Sequence, residues 1–196
     1  MRAIREEFMS LLPNAPLHVF DSYPIFPMVN MSIKILIWNV QGVGNKLTII
    51  RELVRIHKPS MLVLVETHIS GENSQQVCYK INFSGKTRVD AQGFAGGIWL
   101  FWREEEVSVT TFDSNTQHLT VEIRRVGDDP WLFSAIYASP DSNLRRQLWS
   151  ELERIKDQFT GPWLIAGDFN ETRSVNERNG VSNLEKMQGI FKLGRE

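Results

Sequence analysis

Five polar residues stand at the ends of short apolar runs in this sequence: Asn39, Glu66, Tyr137, Asp168 and Asn170. A side chain that directly follows a buried strand is held rigidly and points into the groove above the sheet edge, where α/β architectures place ligand sites. Carboxylate and amide oxygens with few imidazole or thiol neighbours are the ligands that Mg²⁺ prefers. A metal held there can polarise a phosphodiester oxygen, so these residue types predict metal-assisted phosphoester hydrolysis.

Each of these residues also has a simpler interpretation. Asn39 and Asn170 can satisfy the backbone of a turn, and Asp168 can form an Asx turn. Tyr137 can be an ordinary strand aromatic. Glu66 has fewer alternatives, because a carboxylate that ends a buried strand is costly without a metal or a hydrogen-bond donor. Five such residues from four predicted strands favour one shared site.

Alternating strand and helix signals position these residues. Apolar and β-branched runs predict strands, and apolar residues three and four apart predict helices. The predicted strands lie at 34–38, 61–65, 98–102, 107–112, 118–124, 131–137 and 163–166, and the predicted helices at 47–57 and 144–159, with a weaker helix signal after Ser182. This alternation predicts an α/β fold.

Length, charge and hydropathy restrict the class of protein. The 196 residues fit one domain. The net charge of −1 argues against a protein that holds nucleic acid by bulk electrostatics, although an enzyme that contacts a few phosphates is allowed. The longest apolar stretches, such as 61–65 and 98–102, have five residues, whereas a membrane span needs about 20. We therefore expect no membrane partner.

Cysteine usage and the N-terminal composition bear on the compartment. The single Cys78 cannot form an internal disulfide, which favours a reducing environment. Residues 1–30 contain four of the eight prolines and no signal-peptide pattern. We expect nuclear or cytoplasmic localisation, and we interpret 1–30 as a flexible or adventitious leader before a domain at 31–196.

Four motifs occur in a characteristic order along the chain. They are Ile-Trp-Asn-Val-Gln-Gly at 37–42, Val-Glu-Thr-His at 65–68, Ile-Tyr-Ala-Ser-Pro at 136–140 and Gly-Asp-Phe-Asn-Glu at 167–171. From residue 33 to about 180, the chain resembles the endonuclease/exonuclease/phosphatase superfamily. The sequences at 96–102 and 145–149 are similar to those in the endonuclease domain of plant LINE-type (non-LTR) retrotransposons.

The resemblance implies a fold and a role for each site residue. The fold would be a four-layer α/β sandwich, with two mixed sheets packed face to face and helices outside. Glu66 would hold the catalytic Mg²⁺ with Asn39 beside it, and Mn²⁺ would be a substitute. Tyr137 would contact the scissile phosphate, Asp168 would orient or activate the attacking water, and Asn170 would bind phosphate or support the metal site. His68 would lie at the rim near the DNA backbone. The partner would be DNA, bound transiently as substrate by a monomer, and no protein partner is predictable.

One family motif has no counterpart in these residues. The superfamily carries a late Ser-Asp-His motif, whereas the last of the four histidines here is His118. We therefore expect a domain that is incomplete at the C-terminus, lacks the closing strands and is catalytically impaired. The alternatives are a non-catalytic retroelement fragment and a phosphatase that acts on small phosphoesters.

Overall fold

Two mixed β-sheets form the centre of the computed structural model, which describes residues 17–22, 33–93, 95–170 and 191–192, the first and last of these by backbone alone. The strands are β1 (Leu17–Ser22), β2 (Ile33–Asn39), β3 (Met61–Val65), β4 (Gly85–Val89), β5 (Ile98–Trp102), β6 (Ser108–Ser114), β7 (His118–Arg124), β8 (Trp131–Tyr137), β9 (Trp163–Asp168) and β10 (Phe191–Lys192). The helices are α1 (Leu47–His57), α2 (Gly71–Tyr79) and α3 (Ser142–Gln158). Across the described residues, none of these helices is long and apolar enough to cross a membrane.

Each sheet contains one parallel pair of strands. The first sheet has the order β1-β2-β3-β5-β4 and the second the order β10-β9-β8-β7-β6. The parallel pairs are β2 with β3 and β8 with β9, and the other neighbours are antiparallel. Because parallel strands end at the same sheet edge, Asn39 lies opposite Val65, and Tyr137 lies opposite Asp168.

The core lies between the two sheets, and the helices cover their outer faces. Alternate residues of each strand point inward, so that side chains such as Ile37 and Val63 in the first sheet pack with Val121 and Phe133 in the second. A second apolar cluster joins α1 and α2 to the first sheet, and a third joins α3 to the second sheet. The packing order is therefore helices, sheet, sheet and helix.

The observed elements agree with most of the predicted ones. The seven predicted strands correspond to β2, β3 and β5–β9, and the two predicted helices correspond to α1 and α3, with ends that differ by up to two residues. Helix α2 and strand β4 had no prediction. The described part of α2 buries only Ser74 and Cys78. The central residues of β4 are the polar Lys86, Thr87 and Arg88. Neither element therefore shows apolar residues at the spacing of a helix or a strand.

Predictions about the two ends fall mostly outside the described residues. The strand β1 lies inside the predicted leader and pairs antiparallel with β2; the rest of 1–30 lies outside the described residues. The helix signal after Ser182 also lies outside them. Strand β10 pairs antiparallel with β9 through Phe191 and Lys192. The leader and the missing closing strands stay predictions.

Close contact between the parallel strands β8 and β9 requires a glycine. A Cβ atom built on Gly167 would lie 2.1 Å from the Ile136 carbonyl oxygen, and the φ of Gly167 is +149°. We expect Gly167→Ala to lower the free energy of unfolding by about 3 kcal/mol, from clash and strain together. Thermal denaturation should show a fall in Tm of about 6–12 °C. The control is Gly44→Ala, because a Cβ there meets nothing within 4 Å; equal Tm losses in the two variants would contradict the prediction.

Candidate active site

Two side-chain hydrogen bonds connect the ends of the parallel strands across the sandwich. The Asn39 Nδ2 atom, at the end of β2, donates to Asp168 Oδ2 at the end of β9, over 2.8 Å. The Tyr137 hydroxyl, at the end of β8, donates to Glu66 Oε1, which follows β3, over 3.1 Å. The carboxyl ends of all four parallel strands therefore meet in one site.

Asp168 is held from two sides. In addition to the bond from Asn39, its Oδ1 atom accepts the backbone N–H of Asn170 over 2.9 Å. The Asn170 Nδ2 atom donates to the Ala138 carbonyl over 2.8 Å, so this side chain ties the loop after β9 to the loop after β8. The Asx turn named above as the simpler interpretation is therefore present. It also orients the carboxylate towards Asn39.

Glu66 keeps one oxygen available for a ligand. Its Oε1 atom accepts from Tyr137 and lies 3.5 Å from His68 Nε2. No hydrogen bond from the described residues reaches Oε2, and the side chain is 21% exposed. His68 lies at the rim with 32% of its side chain exposed. A divalent cation can thus approach Glu66 from the groove.

Unusual backbone conformations concentrate around this site. Gln41, Glu66, His68 and Asn170 all have left-handed φ angles, between +44° and +61°. Such conformations cost about 1–3 kcal/mol each and persist only where the surroundings hold them. Here the backbone bonds Gly42 N–H to Glu66 O and His68 N–H to Gly96 O hold the loop after β3 in place. The strain places the Glu66 and His68 side chains at the groove.

Tyr137 acts as a hydrogen-bond donor throughout the usual pH range. Burial raises the pKa of its phenol well above the ordinary value, and the negative charges of Glu66 and Asp168 add to that effect. The ring also lies beside Gly96, where a built Cβ would come within 3.7 Å of it. The Tyr137 hydroxyl is therefore a fixed, neutral donor aimed at Glu66.

The donor set fits a hard divalent cation. Glu66 Oε2 is free of hydrogen bonds within the described residues, and each Asp168 oxygen accepts one bond only. Mg²⁺ binds through one or two carboxylates and keeps several waters. Asn39 differs from the expectation in one respect: its Oδ1 atom accepts the Gln41 backbone N–H over 3.0 Å, and its Nδ2 atom orients Asp168. The amide oxygen has one remaining lone pair for a metal.

One residue behind the site, Gln117, has no counterpart among the predicted site residues. It is 9% exposed, and its side chain accepts the Ser139 N–H in the loop after β8. A buried amide in the turn between β6 and β7 carries no motif and no period, so only the packing of that turn could have identified it.

Another group of ionisable side chains lies apart from the strand ends, between β6, β7 and α3. Asp113, His118 and Glu151 each place one potential metal-ligating atom within 4.8 Å of the others. However, the Arg154 Nη2 atom donates to Asp113 Oδ2, and also to Glu151 Oε2 over 2.9 Å. Because the Arg154 guanidinium already forms ion pairs with both carboxylates, we interpret the group as an ion-pair cluster.

His118 makes the stability of the fold depend on pH. Its side chain is fully buried, and burial lowers its pKa below the ordinary value of 6.5. As the pH falls through 6.5, the unfolded chain therefore binds this proton before the folded chain does. We expect a loss of up to about 1.4 kcal/mol from this group between pH 7.5 and pH 5.5, seen as a fall in Tm.

His118→Asn tests this expectation, because the Asn amide takes the place of Nδ1 beside Thr120, its present partner at 3.2 Å. The variant should lose most of the fall in Tm between the two pH values. The control variant is His57→Asn. Burial also lowers the pKa of His57, but its ring is partly exposed. An unchanged pH slope in His118→Asn would refute the assignment.

A family model and a sequence relative both match this chain. The model of the Endonuclease/Exonuclease/phosphatase family matches residues 36–186, which is more than half of the chain. The chain is 27% identical over 146 residues to the probable RNA-directed DNA polymerase from transposon X-element of Drosophila melanogaster, covering 71% of this chain and 15% of that protein.

Two solved structures share the fold. The endonuclease domain of TRAS1, a telomere-specific non-LTR retrotransposon, matches with a TM-score of 0.53 at 16% identity, over 71% of this chain and 61% of that one. The 3′ phosphatase NExo from Neisseria, bound to product DNA hairpin, matches with a TM-score of 0.50 at 20% identity, over 73% and 60%. The chain spans less than two thirds of the length of each of these relatives. On the family match, supported by the shared fold, the chain belongs to the endonuclease/exonuclease/phosphatase family.

Proposed function

We propose that this chain is a Mg²⁺-dependent phosphodiesterase domain of retrotransposon origin that nicks DNA. The observation that carries the proposal is the pair of bonds across the sandwich, Asn39 to Asp168 and Tyr137 to Glu66. They bring two carboxylates, an amide and a phenol from four strands to one partly exposed site. The X-element and TRAS1 relatives support a retroelement origin.

In this proposal, Glu66 holds the metal with Asn39 beside it. When bound, Mg²⁺ would polarise a phosphodiester oxygen and stabilise the charge that develops on the leaving oxygen. The exposed Oε2 atom of Glu66 is the ligand that needs no rearrangement, because its other oxygen already accepts from Tyr137. Mn²⁺ has similar ligand preferences and is expected to substitute.

Asp168 is the proposed general base. Its carboxylate is oriented by Asn39 and by the Asn170 N–H, and each oxygen keeps a lone pair for a water molecule. Positioned proton transfer of this kind contributes about 10²- to 10⁴-fold in rate. The ordered carboxylate fits that role better than a mobile surface Asp would, because its direction is set before substrate binds.

The other predicted residues contact substrate in this proposal. Tyr137, a neutral donor beside Glu66, would contact the scissile phosphate. Asn170 would support the phosphate site indirectly, because its amide is bonded to Ala138. His68, partly exposed at the rim, would lie near the DNA backbone.

A non-catalytic retroelement fragment that still binds Mg²⁺ is the second candidate. In the family that this chain resembles, a late His assists the reaction, and the last histidine of these 196 residues is His118. The plant LINE-type resemblance stays a prediction.

Nicking of supercoiled plasmid by the purified chain tests the proposal. We expect the relaxed circle to accumulate with Mg²⁺ or Mn²⁺ and to be absent with EDTA. A parallel assay of phosphate release from small phosphomonoesters separates the phosphatase alternative. Folded protein that binds Mn²⁺ but leaves plasmid intact would favour the non-catalytic fragment, and phosphate release without nicking would favour a phosphatase.

A further inference from the structure

Gln117 is a buried amide in the turn between β6 and β7, and its own position is fixed. The Asn115 Oδ1 atom accepts the backbone N–H groups of Gln117 and His118, over 2.8 and 3.1 Å. The Asn115 N–H in turn donates to the His118 carbonyl. The turn is therefore closed by its own hydrogen bonds, and Gln117 projects from a rigid support.

Three hydrogen bonds link Gln117 to the end of β8, to the loop that follows it and to the first turn of α3. Its backbone carbonyl accepts the Tyr137 N–H over 2.9 Å. Its Oε1 atom accepts the Ser139 N–H over 2.7 Å, and its Nε2 atom donates to the Leu144 carbonyl over 2.9 Å, at the start of α3. One residue thus holds the backbone on both sides of Ala138 and connects that segment to α3.

The segment held by Gln117 carries two connections of the candidate active site. Tyr137 donates to Glu66 through its hydroxyl. Ala138 accepts from the Asn170 side chain, and its N–H donates to the Asp168 carbonyl. A shift of this segment would move the phenol relative to Glu66 and would loosen the turn that orients Asp168.

We propose that Gln117 is a positioning residue that sets the Tyr137 side chain for catalysis. The inference rests on the proposed nuclease function. Among the described residues, Gln117 forms no hydrogen bond with Glu66 or Asp168, and it acts through the backbone of Tyr137 and Ser139. Without its amide, the Ser139 N–H loses its partner and the Leu144 carbonyl loses one hydrogen bond, and the segment must move for the Ser139 N–H to reach water or another acceptor.

Gln117→Leu removes both side-chain bonds while keeping a similar volume. We expect kcat for plasmid nicking to fall about tenfold, because small misplacements of catalytic groups carry large rate costs, and KM to change less than twofold. Gln147→Leu makes the same exchange at an exposed position of α3 and should change neither constant. Ile155→Val is a control for lost stability alone, because Ile155 lies on the buried face of α3 and the substitution should leave kcat unchanged.

A fluorine NMR resonance tests the position of Tyr137 without an activity assay. The chain has three tyrosines, so protein labelled with 3-fluorotyrosine gives a simple spectrum in which Tyr137→Phe assigns the relevant resonance. We expect Gln117→Leu to shift that resonance and leave the Tyr79 resonance in place. Gln117→Glu keeps an acceptor for Ser139 and should restore the Tyr137 resonance and most of kcat; it also carries the test if the Leu variant does not fold.

The outcomes separate the two proposals. An unmoved Tyr137 resonance in Gln117→Leu, or a kcat equal to wild type, overturns the role of Gln117. Absence of nicking by the wild-type chain overturns the proposed function, and the fluorine shift still decides whether Gln117 positions Tyr137. A fall in kcat that Ile155→Val reproduces at equal loss of Tm would show that Gln117 contributes stability only.

Discussion

The Glu66→Gln variant is expected to nick supercoiled plasmid about a thousandfold more slowly than the wild-type chain. Glu66 offers the one carboxylate oxygen that accepts no hydrogen bond in the described part of the site. Charge stabilisation by a bound divalent ion is worth several kcal/mol, and about 4 kcal/mol corresponds to this factor. The amide of Gln keeps the acceptor for Tyr137 but loses the charge.

Calorimetric titration with Mn²⁺ checks the same variant without DNA. We expect affinity to fall at least about tenfold, because the loss of even an outer partner of a metal site costs that much. Glu153→Gln makes the identical change at an exposed position of α3 and should leave binding and nicking intact. If Glu66→Gln kept Mn²⁺ affinity and more than a tenth of the nicking rate, Glu66 would not be the metal ligand.

Asp168→Asn is expected to slow nicking about 10³-fold, within the range for loss of a positioned general base. The substitution has a second consequence, because its amide N–H would face the Nδ2 atom of Asn39, which now donates to Asp168 over 2.8 Å. Two opposed donors leave a buried polar group unsatisfied and cost about 1–3 kcal/mol. Rate and stability should therefore both fall.

Exchange of the two residues separates these effects. The double variant Asn39→Asp, Asp168→Asn restores a donor and an acceptor across the sandwich but moves the charge from β9 to β2. We expect Tm to recover while nicking stays low. Recovery of nicking would show that Asp168 serves only as the partner of Asn39. Asp157→Asn, at an exposed position near the end of α3, is the matched control.

Local pattern was sufficient for most of the elements that carry the site. The strands that end at Asn39, Val65 and Tyr137 are apolar runs with a polar residue at or just after the end, and burial on both sheet faces follows from their composition. Helix α3 follows from Leu148, Leu152 and Ile155, which recur on one face and are buried. In these segments the local preference and the tertiary structure agree.

Segments without a local pattern could not be predicted. Strand β4 is a sheet edge, and its backbone pairs with β5 although its central side chains are polar and only partly buried. Helix α2 contributes mainly Cys78 to the core beside the first sheet. Both elements are stabilised by what they pack against, which residues 71–89 do not indicate by themselves.

The sequence by itself determined the fold class and the residue types at the strand ends, because periodicity and apolar runs are local properties of the chain. Only the tertiary structure decided which of those residues meet: Asn39 and Asp168 are 129 positions apart, and Glu66 and Tyr137 are 71 apart. These pairings depend on how the two sheets face each other, and many sheet orders are compatible with the same local signals. Tertiary structure also decided the left-handed backbone at Glu66 and the position of the buried Gln117 amide, since surrounding contacts hold both in place.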